Sequence, residues 1–154
     1  MTLTKRWWDD YQVGERRVTG GRTVTETDVV MHAGQTGDFF PHHMDAEWAA
    51  TQPIGARIAH GTLIVSMAVG MTAGDVNPVA MSYGYDRIRF VRPVYIGDTI
   101  TVTAEITGKS DHVKDPTLGR LDEQLTVTNQ HGDVVLALTH LYVVQKRQEQ
   151  QHQG

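Results

Sequence analysis

Between Gly61 and Ala73 the chain reads GTLIVSMAVGMTA, thirteen residues without a charge. The apolar side chains fall on nearly every side of a helix drawn through this segment, not on one stripe. A helix apolar all round has no face to offer water and must be enclosed. At about 1.5 Å per residue it is about 20 Å long, short of a bilayer's hydrocarbon core. The rest of the chain must therefore wrap around it.

The second half of the sequence has the means. Thr99–Ile106 alternates polar and apolar residues without a break, the pattern of a strand with one buried face. Leu121–Thr128 and Val134–Val144 read as two more strands, joined through a turn at Asn129–Asp133 centred on Gly132. Val79–Val94 is another, ending at Pro93, and Arg16–Val24 adds an edge strand. Before the apolar helix, Thr25 stands three residues ahead of Asp28, a capping box that opens a helix over Glu26–Gln35 and stops at Gly37. Asp45 caps a short helix, Ala46–Thr51, ended by Pro53. Helices followed by a run of strands indicate an α+β fold with an antiparallel sheet around the helix at 61–73.

The chain's 154 residues contain no internal repeat and no dividing linker, so residues 1–145 are read as one domain. Ser110–Gly119 has the charge, proline and glycine of a loop, and the polar stretch 146–154 is expected to be a disordered tail. The absence of cysteine excludes disulfides, thiolate metal sites and cysteine nucleophiles. Fourteen Lys and Arg against eighteen Asp and Glu give a net charge of −4, with no basic stripe for nucleic acid or an anionic membrane. No segment is long and apolar enough to span a membrane and Met1–Asp10 has no apolar leader, so a cytoplasmic location is expected.

The chemistry-bearing residues cluster between the helices. Gly37-Asp38-Phe39-Phe40-Pro41-His42-His43-Met44-Asp45 holds a carboxylate and an imidazole on a segment that Pro41 keeps from continuous helix. On a loop, Asp38 and His43 can converge on one water as an acid/base pair. The same residues also suit an arrangement in which Asp38 caps a turn and His43 lies on the surface, and spacing does not separate the two. At the mouth of the apolar helix, Gly61 lets a ligand approach free backbone N–H groups that favour a developing oxyanion, or simply lets the helix pack on the sheet.

Three motifs occur in order: Gly37-Asp38-x-x-Pro41-x-His43-x-Asp45, His60-Gly61-x-Leu63-x-x-Ser66 and Arg89-Phe90-x-x-Pro93-Val94-x-x-Gly97-Asp98. With the closing Asn129-x-x-Gly132-x-Val134 turn, the stretch from Tyr11 to Val144 resembles the MaoC-like hydratases, which include the (R)-specific enoyl-CoA hydratases. The resemblance implies a single hotdog domain that pairs into a homodimer or a dimer of dimers. It implies that Asp38 and His43 hold the water that adds to a 2-enoyl thioester, giving an (R)-3-hydroxyacyl product, with the thioester carbonyl on the Gly61 backbone N–H. Ser66 would support the aspartate and His60 would orient the loop. The substrate would be an acyl-CoA or acyl-carrier-protein thioester, with no cofactor beyond coenzyme A as part of it. Two departures bear on the substrate: Phe40 stands where such relatives often carry Asn, and His42 where the pattern is apolar.

Competing readings are an acyl-CoA thioesterase of the same fold and a non-catalytic module that binds acyl thioesters. A metal centre built from Asp38, His42, His43, Asp45 and His60 is disfavoured, because adjacent histidines in an extended loop point apart and no helical i,i+4 pair is present. Arg57 and Arg89 are candidate contacts for coenzyme A, and Arg87 and Arg89 alternate along a strand. Trp7, Trp8 and Trp48 read as packing aromatics. His32 reads as a solvent or packing residue, and His112, His131 and His140 show no partner.

Overall fold

The computed structural model describes residues 4–74 and 77–148, and the apolar segment forms α4 (Gly61–Thr72). Leu63, Ile64, Met67, Ala68 and Thr72 of α4 are buried, but Thr62, Ser66 and Gly70 form an exposed stripe. The helix therefore packs on the sheet along one face, against the expectation from its composition that it be enclosed on every side. The sheet around it consists of β1 (Arg16–Val18), β2 (Arg22–Thr23), β3 (Ala80–Phe90), β4 (Thr99–Asp111), β5 (Leu118–Thr128) and β6 (Val134–Gln145). All pairings are antiparallel, in the order β1-β4-β5-β6-β3, with β2 also on β4. The inward phase of β4 to β6, including Ile100, Val102, Leu125, Val127, Leu136 and Leu138, packs with the buried residues of α4 in one core. Complete burial of one such aliphatic side chain contributes about 1.5–3 kcal/mol, so this enclosure is the main force behind the curl of the sheet.

The first half forms α1 (Glu26–Thr36), α2 (Pro41–Met44) and α3 (Ala46–Ala50). The Thr25–Asp28 capping box is present, and Gly37 ends α1 in the left-handed region at φ 78°, which glycine enters without a Cβ clash. Asp45 accepts from the Trp48 backbone N–H at 2.9 Å and caps α3.

Several expected boundaries move. The hairpin of β4 and β5 continues past Ile106 to the pair Asp111↔Gly119, so the loop expected at 110–119 keeps its centre, residues 112–117, and gives its two ends to strand. Ser110 and Asp111 escape the alternation test because that end of β4 is exposed, whereas on β5 Gly119 is buried beneath Trp8. Gly119 is required there, since a Cβ would run into the Trp8 ring. Helical geometry also returns at Pro41, which occupies the first turn of α2, where its missing N–H costs no bond. The expected tail begins later than Lys146: its backbone N–H donates to the Thr117 carbonyl at 2.8 Å, and that of Arg147 to the Asp9 carboxylate at 2.7 Å. Residues 149–154 lie outside the described residues. Finally, β3 shifts register between Asp86 and Arg89, with Arg87 at φ 54°, so Arg87 and Arg89 do not simply alternate.

Candidate active site

The end of α1, the start of α4 and the loop between them meet at one cavity of about 430 Å³, lined by Asp38, His43, His60, Gly61, Phe90 and Leu136 among others. Gly37 turns the chain out of α1. Asp38 then accepts from the Phe40 backbone N–H at 3.3 Å, and α2 brings His43 back toward it. His43 Nδ1 lies 2.8 Å from the Ile58 carbonyl. A carbonyl only accepts, so Nδ1 carries the proton and, in the neutral ring, the lone pair is on Nε2. That Nε2 is 4.0 Å from the Asp38 carboxylate. Burial holds the His43 imidazole below its ordinary value of 6.5, and His60 acts in the same sense; the bond to Ile58 and the nearby Asp38 oppose them.

His60 is only 2 % exposed and immediately precedes α4. Its Nε2–H donates to the Asp38 backbone carbonyl at 2.9 Å, and its ring stacks on that of His43 with centroids 3.7 Å apart. His60 thus ties the Asp38 loop to the mouth of α4 and forms a wall behind His43. Gly61 is the first residue of α4, so its N–H belongs to the turn that has no intrahelical partner. A Cβ at Gly61 would stand 2.5 Å from the Phe90 ring, so only glycine fits beneath Phe90 as it lies.

Other candidates have different occupations. Arg57 Nε donates to the His43 carbonyl at 2.6 Å, and its Nη1 lies 2.9 Å from the Glu26 carboxylate. That guanidinium staples the loop to α1 instead of standing free for a phosphate. Arg89 is exposed and its Nη1 donates to the Ile88 carbonyl at 2.8 Å. The Ser66 hydroxyl donates to the Thr62 carbonyl one turn back at 2.9 Å and makes no bond to Asp38 among the described residues. Asp45 caps α3 and stands apart from the pair.

Two residues to which sequence reasoning gave no site role stand at the site. His32 Nε2 lies 2.8 Å from Thr62 Oγ1, with its ring 4.8 Å from that of His60, so it is more than a solvent or packing residue. Phe90 was legible only as part of a motif, without the close approach to Gly61. The two departures at 40 and 42 explain each other: His42 stacks on Phe40 at 4.7 Å and meets Trp48 edge-on at 4.7 Å, turned away from His43.

Asp38, His43 and His60, three of the five residues weighed for a metal centre, place one potential ligand atom each within 4.8 Å of one another. The rings of His43 and His60 are tilted by only 23°, however. An imidazole ligand must hold the metal in its own plane at about 2.0–2.1 Å. Two nearly parallel stacked rings cannot both do so for one ion, and the residues present do not fit a shared metal.

Residues 10–129 match the family described as the MaoC like domain. The chain belongs to that family. This MaoC-like domain is 39% identical to Protein MaoC of Klebsiella aerogenes over 111 residues, which are 71% of this chain and 32% of that protein. It therefore spans about a third of that relative's length. It is 29% identical to an (R)-specific enoyl-CoA hydratase of Rhodospirillum rubrum over 106 residues, 69% of this chain and 73% of the other. Among solved structures, a monoamine oxidase regulatory protein from Archaeoglobus fulgidus superposes with a TM-score of 0.88 at 37% identity, covering 94% of this chain and 97% of that one. The architecture of the MaoC-like domain, an antiparallel sheet curled around one helix, is the hotdog fold. Among the described residues no helix is long and apolar enough to cross a membrane.

Proposed function

We propose that this MaoC-like domain catalyses the reversible hydration of a 2-enoyl thioester, equivalently the dehydration of an (R)-3-hydroxyacyl thioester. The observation that carries the reading is the fixed tautomer of His43, whose bare Nε2 faces Asp38 across 4.0 Å. That gap is too long for a direct hydrogen bond and wide enough for one water to reach both groups at about 2.8 Å. As the water oxygen attacks C3, the Asp38/His43 pair takes one of its protons and the C2=C3 electrons move toward the thioester oxygen. The Gly61 N–H at the start of α4 receives that enolate oxygen. The pair returns a proton to C2 on the same face, and the electrons fall back from the oxygen. The two groups act as one coupled unit, so base and acid are not assigned separately. The enzyme names of relatives such as the Rhodospirillum rubrum hydratase support the reading.

The substrate is proposed to be carried on coenzyme A or an acyl carrier protein, with Arg89, an exposed cation on β3 next to the cavity-lining Phe90, as a candidate contact. A second copy is the proposed partner. Strand β3 has β6 as its one neighbour among the described strands and exposes Met81, Tyr83 and Phe90. An unpaired edge with apolar side chains suits antiparallel pairing with its own copy.

The test follows the conjugated-thioester absorbance of crotonyl-CoA. Wild-type protein should bleach it, and Asp38→Asn or His43→Ala should lower kcat/KM by about a thousandfold or more while the fold is retained. Near-normal turnover in either variant overturns the reading. Release of free thiol without hydration would transfer it to a thioesterase, and binding without turnover to a non-catalytic module.

A further inference from the structure

Thr62 follows Gly61 on the first turn of α4, is exposed, and belongs to the lining of the cavity that holds Asp38 and His43. The other hydroxyls of this helix are used within it: Ser66 donates to the Thr62 carbonyl at 2.9 Å and Thr72 to the Ala68 carbonyl at 3.0 Å. Thr62 has no preceding helical turn to bond. The residues three and four before it, Ala59 and Ile58, precede α4, and the Ile58 carbonyl already accepts from His43 Nδ1–H. Its Oγ1 lies instead 2.8 Å from His32 Nε2, a bond that crosses from α4 to α1, and has no other hydrogen-bond partner among the described residues.

The direction of that bond decides what the hydroxyl can do. Burial holds the His32 imidazole below its ordinary value of 6.5; His60 and His43 act in the same sense and Asp38 opposes them. At neutral pH the ring therefore carries one proton. On Nδ1, that proton would leave Nε2 bare, and the Thr62 hydroxyl would spend its hydrogen on the ring. On Nε2, it is donated to Thr62 Oγ1, and the hydroxyl hydrogen is released toward the cavity. A neutral histidine in water prefers the proton on Nε2. In His43 the Ile58 carbonyl reverses this preference, but His32 Nδ1 has no acceptor among the described residues to do so. Helical side chains lean toward the N-terminus, so the released hydroxyl lies on the same end of α4 as the unpaired Gly61 N–H.

We infer that the Thr62 hydroxyl, held by His32 Nε2–H, is a second donor to the thioester oxygen, beside the Gly61 N–H. The inference rests on the thioester reading of this cavity. Thr62 is then a catalytic residue whose bond strengthens as the oxygen gains enolate charge, and His32 is a positioning residue that acts through it.

The test reads the oxygen with and without turnover. Butyryl-CoA has no C2=C3 bond to hydrate. Labelled with 13C at its thioester carbonyl, it reports hydrogen bonds on that oxygen through isotope-edited infrared spectra. The bound carbonyl band should lie lower with wild-type protein and Thr62→Ser than with Thr62→Val, which keeps the shape and loses the hydroxyl. With crotonyl-CoA, Thr62→Val should lower kcat by about a hundredfold with little change in KM, while Thr62→Ser stays within about threefold of wild type. His32→Phe should lower kcat by about tenfold, and His32→Gln, which restores an N–H donor, should recover it. Equal bands with wild type and Thr62→Val overturn the donor, whether or not crotonyl-CoA is hydrated, and leave the bond as a tie between α1 and α4. A band that moves in Thr62→Val while wild type hydrates no crotonyl-CoA keeps the donor and removes the hydration. Long-range 1H–15N spectra that place the His32 proton on Nδ1 overturn its positioning role even if the His32 variants do not fold.

Discussion

His60 stacks on His43 while donating its Nε2–H to the backbone carbonyl of Asp38. One buried ring thereby sets the distance between the two groups proposed to hold the water, without standing between them. His60→Phe retains a ring against His43 and loses the bond to Asp38. We expect kcat to fall about ten- to a hundredfold with little change in KM, as befits a positioning residue. Because His60 helps hold the His43 imidazole down, the acid limb of the pH–rate profile should move to higher pH in this variant. An unmoved limb would separate His60 from the protonation of His43.

Gly61 lies under Phe90, so Gly61→Ala should lower kcat/KM by about a hundredfold, through displacement of the helix start or the ring. Alanine is intrinsically better than glycine in a helix, and the thermal midpoint should therefore change little. Adding Phe90→Ala opens the space a Cβ needs. Recovery of activity in the double variant, measured against each single one, checks that the loss is steric.

Arg57 distinguishes a staple from a ligand contact. Arg57→Ala removes the bond to the His43 carbonyl and should lower kcat by about tenfold, with a loss of about 1 kcal/mol in stability. Glu26→Gln removes only the exposed ion pair and should cost less than about 1 kcal/mol. If Arg57→Ala instead raised KM for the CoA thioester with kcat unchanged, a role in gripping coenzyme A would replace the staple.

Burial, reinforced by Arg17, depresses the imidazole of His140 and makes stability depend on pH in a definite direction. Below 6.5 the unfolded chain binds a proton that the native state refuses, so stability falls as pH drops toward about 4. Below that value the native ring is protonated too, and the slope ends. The full span is worth about 3 kcal/mol at most. Urea unfolding at pH 7 and pH 5 should show a smaller difference for His140→Gln than for the wild type. Other depressed imidazoles, His43 and His32, remain in both and cancel in the comparison.

The burial of α4 was legible from its apolar run, although the small residues Thr62, Ser66 and Gly70 leave one stripe exposed, and the strands were legible because their alternation persists wherever one side is core. The alternation gave out toward Asp111, where the β4–β5 hairpin leaves the core and sequence is free of the inward constraint. Within the site, Asp38, His43 and Gly61 were visible as motif positions. The stacking of His60 on His43 was not, since it depends on the Ile58 N–H bond to the His42 carbonyl and the His43 Nδ1–H bond to the Ile58 carbonyl bringing two separate segments alongside. Ser66 illustrates the converse: a helix lets its hydroxyl bond its own preceding turn, a local option that motif matching does not see. Glu123 left a signal that passed unread, a carboxylate in the inward phase between Leu121 and Leu125.

The stack of Phe40 on His42, with Trp48 at its edge, makes the two unusual positions of the loop epistatic. Placing asparagine at position 40 alone would remove one ring of this stack and leave the other two as they are. It would strand an imidazole shaped to an aromatic neighbour that is gone. Transplanting this loop, or tracing how it diverged, therefore has to treat positions 40, 42 and 48 as one inherited unit.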